Sequence, residues 1–124
     1  MIRKRWIARL LMWAAIIFAV TMALLPHPPS TPIDQFGDKF EHMTAFAVMA
    51  LLAAVAHPEV PLTRIGERLS FLGALIEVFQ SIPALHRDCD PRDWIADTIS
   101  LSVVLAVYAV VRRGWYARRS RAAP

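Results

Sequence analysis

Long uncharged stretches alternate along this chain with short knots of charge. Residues 6–25, WIARLLMWAAIIFAVTMALL, carry a single charge, Arg9. A run of about 20 apolar residues rises far enough as a helix to cross a hydrocarbon core of roughly 30 Å. Pro26, Pro28, Pro29 and Pro32 follow and break any helix. A second apolar segment spans 39–56 and stops at HPEVP. The third, 69–82, lies between Arg68 and Pro83 and rises only about 21 Å; local thinning of the bilayer would accommodate it. The fourth spans 92–111, with Pro91 suited to the first helical turn. A basic tail, 112–124, remains. This pattern predicts an all-α integral membrane protein, a compact four-transmembrane-helix bundle with one domain over 1–124.

Composition agrees with that pattern. The chain is 56% hydrophobic, with mean hydropathy +0.42, too oily for a soluble domain of 124 residues. A secretory signal peptide is the competing reading of the first segment, with MIRKR as its n-region. The apolar run is long for one, and ALLPHPP offers no A-x-A site. The isoelectric point near 10.0 raises the question of nucleic acid. The basic residues sit at the ends beside apolar segments, however, so anionic lipid is the expected counterpart and no nucleic acid is. Cys89 is the only cysteine, which excludes an internal disulfide and a cysteine-based zinc site.

Charge also predicts direction. If four segments cross, both termini share a side, and that side holds every Lys and Arg except Lys39, Arg87 and Arg92. The positive-inside rule then puts both termini in the cytoplasm.

Polar residues interrupt the apolar segments in a way that composition does not require. Asp38, Lys39, Glu41 and His42 open the second span, Glu77 and Gln80 lie near the end of the third, and Asp93 and Asp97 lie near the start of the fourth. With the spans alternating in direction, all of these arrive at one membrane face, together with Arg87. Asp38 and His42 share a helix face, as do Glu77 with Gln80, and Asp93 with Asp97 and Ser100. A carboxylate facing lipid at the bilayer centre costs about 3 kcal/mol, so Glu77 and Asp97 are expected to face inward.

Simpler roles compete for some of them. Asp38 suits an N-cap, Asp90 and Asp93 suit a capping pair around Pro91, and Glu41 suits solvent. Lys39, Arg87 and Arg92 suit interface charges. His27, His57 and His86 fall in loops. Capping accounts neither for Glu77, near a helix C-terminus where the dipole disfavours anions, nor for Asp97, beyond the first turn.

The expected site has Lys39, Gln80 and Arg87 holding an anionic lipid or envelope precursor. His42, Glu77, Asp93 and Asp97 are the candidate acid–base groups. The same four with Asp38 are the candidate ligands for a divalent cation, Mg²⁺ or Mn²⁺, which would offset carboxylate–phosphate repulsion. Three readings stand: a lipid-binding site, a metal-dependent lipid hydrolase or transferase, and a non-catalytic scaffold whose polar cluster holds the helices together. A proton or ion path is weaker, because nothing polar continues through the opposite halves of the spans.

The order of these motifs resembles the VanZ-like family of small bacterial membrane proteins. The pattern is D-K-x-x-H at a helix start, then E-x-x-Q, an Arg, and D-x-x-x-(N or D) near the start of the last helix. It reads here as Asp38-Lys39-Phe40-Glu41-His42, Glu77-Val78-Phe79-Gln80, Arg87, and Asp93-Trp94-Ile95-Ala96-Asp97. The likeness covers Asp38 to Ser100 and the four-span plan. One departure is Ser100, where a glycine is usual, and a looser helix contact is expected there. The resemblance implies a multi-pass protein of the bacterial inner membrane and an association with teicoplanin resistance or envelope homeostasis.

Overall fold

The computed structural model describes residues 2–25, 37–85 and 90–124, with the backbone alone at Asp38 and Leu85. Four helices follow in order: α1 (Ile2–Leu24), α2 (Asp38–Ala56), α3 (Leu62–Gln80) and α4 (Pro91–Ala122), with a short 3-10 turn at Pro83–Leu85 before α4. No strand occurs among the described residues. Three helices, α1, α2 and α4, are long and apolar enough to cross a membrane. α3 has 19 residues, about 28 Å of rise, but Arg64, Glu67 and Arg68 occupy its first two turns. The helix therefore begins well before the apolar segment read at 69–82, and its rise is no longer short.

Each helix end has a local cause. Gly37 precedes α2 with φ +89°, a backbone geometry that glycine adopts without a Cβ penalty. It is the N-cap and offers no side chain, so Asp38 is the first helical residue and not the cap. The Gly37 carbonyl accepts the Glu41 N–H at 3.3 Å. Asp90 does cap α4, its Oδ1 accepting the Arg92 N–H at 2.9 Å with Pro91 in the first turn. The basic tail is not a separate segment: α4 runs on to Ala122.

Contacts fix an up-down-up-down arrangement. The Arg9 Nε–H donates to the Ala56 carbonyl at 3.4 Å, joining the start of α1 to the end of α2. Ser70 and Thr98 hydroxyls meet at 3.0 Å, pairing α3 with α4. α2 is central, packed on α1 and α4 and more lightly on α3. Its small residues Ala50, Ala53, Ala54 and Ala56 are buried with Phe46 and Met49, and small side chains let helices approach closely without a hydrophobic driving force. Gly73 does the same on α3: a Cβ there would stand 3.2 Å from Phe46 Cζ and 3.3 Å from Trp94 Cδ1. The outer surface is apolar, with Leu10, Ile17 and Phe18 of α1 and Ile99, Val103 and Val107 of α4 exposed. Contiguous apolar surface of that kind is foreign to soluble monomers and suits lipid.

Candidate functional site at the start of α2 and α4

Antiparallel packing gathers four helix ends at one face: the ends of α1 and α3 and the starts of α2 and α4. The sequence-selected residues on described segments lie toward this face, and His42 and Asp97 are in contact there. His42 stands one turn into α2, and Asp97 about 9 Å into α4 by helical rise. His42 Nδ1 lies 3.8 Å from Asp97 Oδ2, with side chains 14% and 4% exposed. That distance is a charge contact and too long for a direct hydrogen bond. Asp97 Oδ1 is buried with no hydrogen-bond partner. Asp93, half-buried in the first turn of α4, and Glu77 both act on His42 electrostatically.

Glu77 is 7% exposed, and its Oε2 accepts the Asp90 N–H at 3.0 Å. A carboxylate in the last turn of α3 opposes that helix's dipole; the donor from the threshold of α4 offsets it and ties the two helices. Gln80 is 2% exposed, and its Nε2 donates to the Ala23 carbonyl at 3.0 Å. Ala23 is in the last turn of α1, where carbonyls lack intrahelical partners. Gln80 Oε1 is buried without a partner.

Ser100 alters the expectation attached to it. Its Oγ donates to the Met43 carbonyl at 2.8 Å, so α2 and α4 meet closely here through a hydroxyl where the resembling pattern has a glycine. Lys39 and Arg92 are exposed at the rim. Arg87 and Cys89 lie outside the described residues, as does the side chain of Asp38. Glu41 is half-buried and has a partner, not the free solvation expected of it. Among the described residues, no three His, Cys, Asp or Glu side chains stand close enough together to hold a metal ion.

Sequence reasoning missed two contact sets. Trp94 Nε1–H donates to the Ser70 carbonyl at 2.9 Å, clamping α4 on α3 below the site; in the sequence Trp94 stands only at a variable position of the D-x-x-x-D motif. At the opposite end, Arg9 Nη2 lies 3.7 Å from Glu59 Oε1 and its guanidinium 5.4 Å over the Trp6 ring. His57 Nδ1 is 3.3 Å from the same Glu59 oxygen. His57 is thus part of a cluster and not merely exposed, and Arg9 closes the C-terminus of α2 where a cation is favoured. The Glu59 carboxyl is held below its ordinary range, first by its own backbone N–H and then by His57 and Arg9.

No protein-family model matches the chain, and neither does any curated protein or solved structure.

Proposed function

We propose that this chain is a multi-pass protein of a bacterial inner membrane whose α2–α4 end faces outward and binds the headgroup of a phosphate-bearing envelope lipid or precursor. The observation that carries the reading is the His42–Asp97 pair at 3.8 Å. A carboxylate on the Nδ1 side of the ring, in charge contact with it, leaves Nε2 as the atom a ligand can use. The negative charge then lies behind the imidazole, on the side away from the ligand, which lessens its repulsion of phosphate. Exposed Lys39, one turn from His42, supplies the opposing charge. The N-terminus of α2, capped by a glycine with no side chain, points positive in the same direction.

Membership of the VanZ-like family, with its link to teicoplanin resistance or envelope homeostasis, is part of this proposal and is supported by the motif order. Cytoplasmic termini are supported by the distribution of Lys and Arg. A hydrolase or transferase using Mg²⁺ or Mn²⁺ needs more ligands than His42 and Asp97, so binding is the reading we favour. A scaffold is the second reading, and the helix-to-helix bonds of Glu77 and Gln80 favour it.

One measurement tests the orientation and a second separates binding from scaffold. A membrane-impermeant maleimide is expected to label Cys89 in intact spheroplasts; labelling only after lysis reverses the orientation. Native mass spectrometry of the detergent-solubilised protein with a polyprenyl phosphate is expected to show retained lipid that EDTA does not release. Asp97→Ala and His42→Gln are expected to lose that lipid while still inserting. Retention that survives both substitutions rules out the site and leaves the scaffold.

A further inference from the structure

α4 is too long for the membrane it crosses. Its 32 residues rise about 48 Å, against roughly 30 Å of hydrocarbon. The apolar run from Trp94 to Val111 rises about 26 Å and already accounts for most of the crossing. The remaining helix, from Arg112, therefore emerges at the end opposite the His42–Asp97 pair. It carries Arg112, Arg113, Arg118, Arg119 and Arg121, and residues 112–124 contain no acidic side chain.

Two aromatic rings sit among these arginines. Trp115 and Tyr116 are 52% and 54% exposed. They follow Val111 by about 6 Å of rise, the depth of the headgroup layer, where amphipathic rings are favoured. Each ring holds a guanidinium from one helical turn away: Arg119 lies 4.7 Å over Trp115, and Arg112 lies 5.7 Å over Tyr116. The rings meet edge to face at 5.1 Å. Arg112, Trp115, Tyr116 and Arg119 thus share one face, with Arg113, Arg118 and Arg121 around the rest of the helix. A guanidinium stacked on a ring keeps its N–H edge for a planar anion.

We propose that residues 112–122 of α4 form a collar that binds anionic phospholipid headgroups of the leaflet from which the helix emerges. Continuity with a membrane span selects lipid over other polyanions, because the collar cannot leave the bilayer surface. Arg118 and Arg119 stand about 10 Å above Arg112, and Arg121 about 14 Å. All three lie within about one Debye length of the headgroups, with side chains able to reach back. Arg3, Lys4 and Arg5 are exposed on the first turn of α1 and arrive at the same end, adding to the field.

The test uses the full-length protein in nanodiscs of phosphatidylcholine, with and without phosphatidylglycerol, and native mass spectrometry of the lipid retained after release. Wild-type protein is expected to retain phosphatidylglycerol over phosphatidylcholine, and to lose that preference at high salt. The Arg118→Gln, Arg119→Gln, Arg121→Gln variant is expected to bind phosphatidylglycerol on the order of a hundredfold less tightly, at about fivefold per charge. These side chains are exposed, and unchanged helical circular dichroism checks the fold. The same variant keeps its polyprenyl phosphate at the other end, which separates this proposal from the preceding one. Equal retention of both phospholipids, an unaffected triple variant, or stronger capture of RNA than of phosphatidylglycerol would overturn it.

Discussion

Gln80→Leu removes one donor from the end of α3 and leaves its volume almost unchanged. The donor's present partner is the Ala23 carbonyl at 3.0 Å, and both residues are buried. A buried carbonyl left without a donor costs about 1–3 kcal/mol. Two effects reduce that. The unpartnered Oε1 of Gln80 disappears with the side chain, and side-chain hydrogen bonds within membranes average only about 0.6 kcal/mol because the unfolded chain finds substitutes. The net expectation is a loss of about 1 kcal/mol, roughly fivefold in the folding equilibrium. Gln80→Ala adds a cavity, and its expected loss is about 2–4 kcal/mol. Tryptophan fluorescence during SDS titration of the micellar protein reads both values. Because the Gln80 amide donor is already engaged by α1, the folded Leu variant is expected to match the wild type in the polyprenyl phosphate assay. A Leu variant as stable as wild type, with the Ala variant no worse, would refute the α1–α3 tie.

Two further outcomes concern the packing and the opposite end. Gly73→Ala gains about 1 kcal/mol of helix propensity, but its Cβ meets two aromatic rings at 3.2 and 3.3 Å, and overpacking at about 1–3 kcal/mol wins. At Gly66 the nearest atoms are Cδ1 methyls of Leu105 and Leu101 at 3.3 and 3.6 Å. Leu105 borders an open groove of about 690 Å³ between α3 and α4 and can shift, so Gly66→Ala is expected to stabilise by about 0.5 kcal/mol in the same titration. The Glu59 contact with Arg9 has a defined pH sign: the carboxyl is lowered in the folded state, so its contribution is present above the unfolded value and is lost as pH falls through the folded one. Unfolding midpoints are expected to fall slightly as pH drops through the acid range in which glutamate protonates, and Glu59→Gln to remove that small part of the acid dependence.

The helices were legible because a membrane span is a length and a composition, and both are written in one dimension. The convergence of His42, Glu77 and Asp97 was legible because alternation of direction follows from counting spans. Their partners were not. Nothing in the local sequence of Gln80 says that it meets Ala23, 57 residues away, or that Ser100 replaces a close glycine contact with a bond to the Met43 carbonyl. Such pairings depend on helix rotation and offset, which a one-dimensional pattern leaves open. The start of α3 was misplaced for a related reason: charged residues at 64, 67 and 68 ended the apolar run, but a helix needs backbone continuity and not hydropathy.

The polar residues at the site end divide by what they already hold. Glu77 accepts from Asp90, Gln80 donates to Ala23 and Ser100 donates to Met43; each joins two helices, and a scaffold requires no more. The His42–Asp97 contact is different. At 3.8 Å it is too loose to serve as a structural bond, and Asp97 still has an oxygen without a partner. Replacing a buried ionisable pair by apolar residues is often neutral or stabilising, so stability alone gives little reason for it to be there. A pair that is costly to bury and weakly used by the fold is where function is expected in a membrane protein. His42, as the less buried member, marks the side from which a ligand would approach.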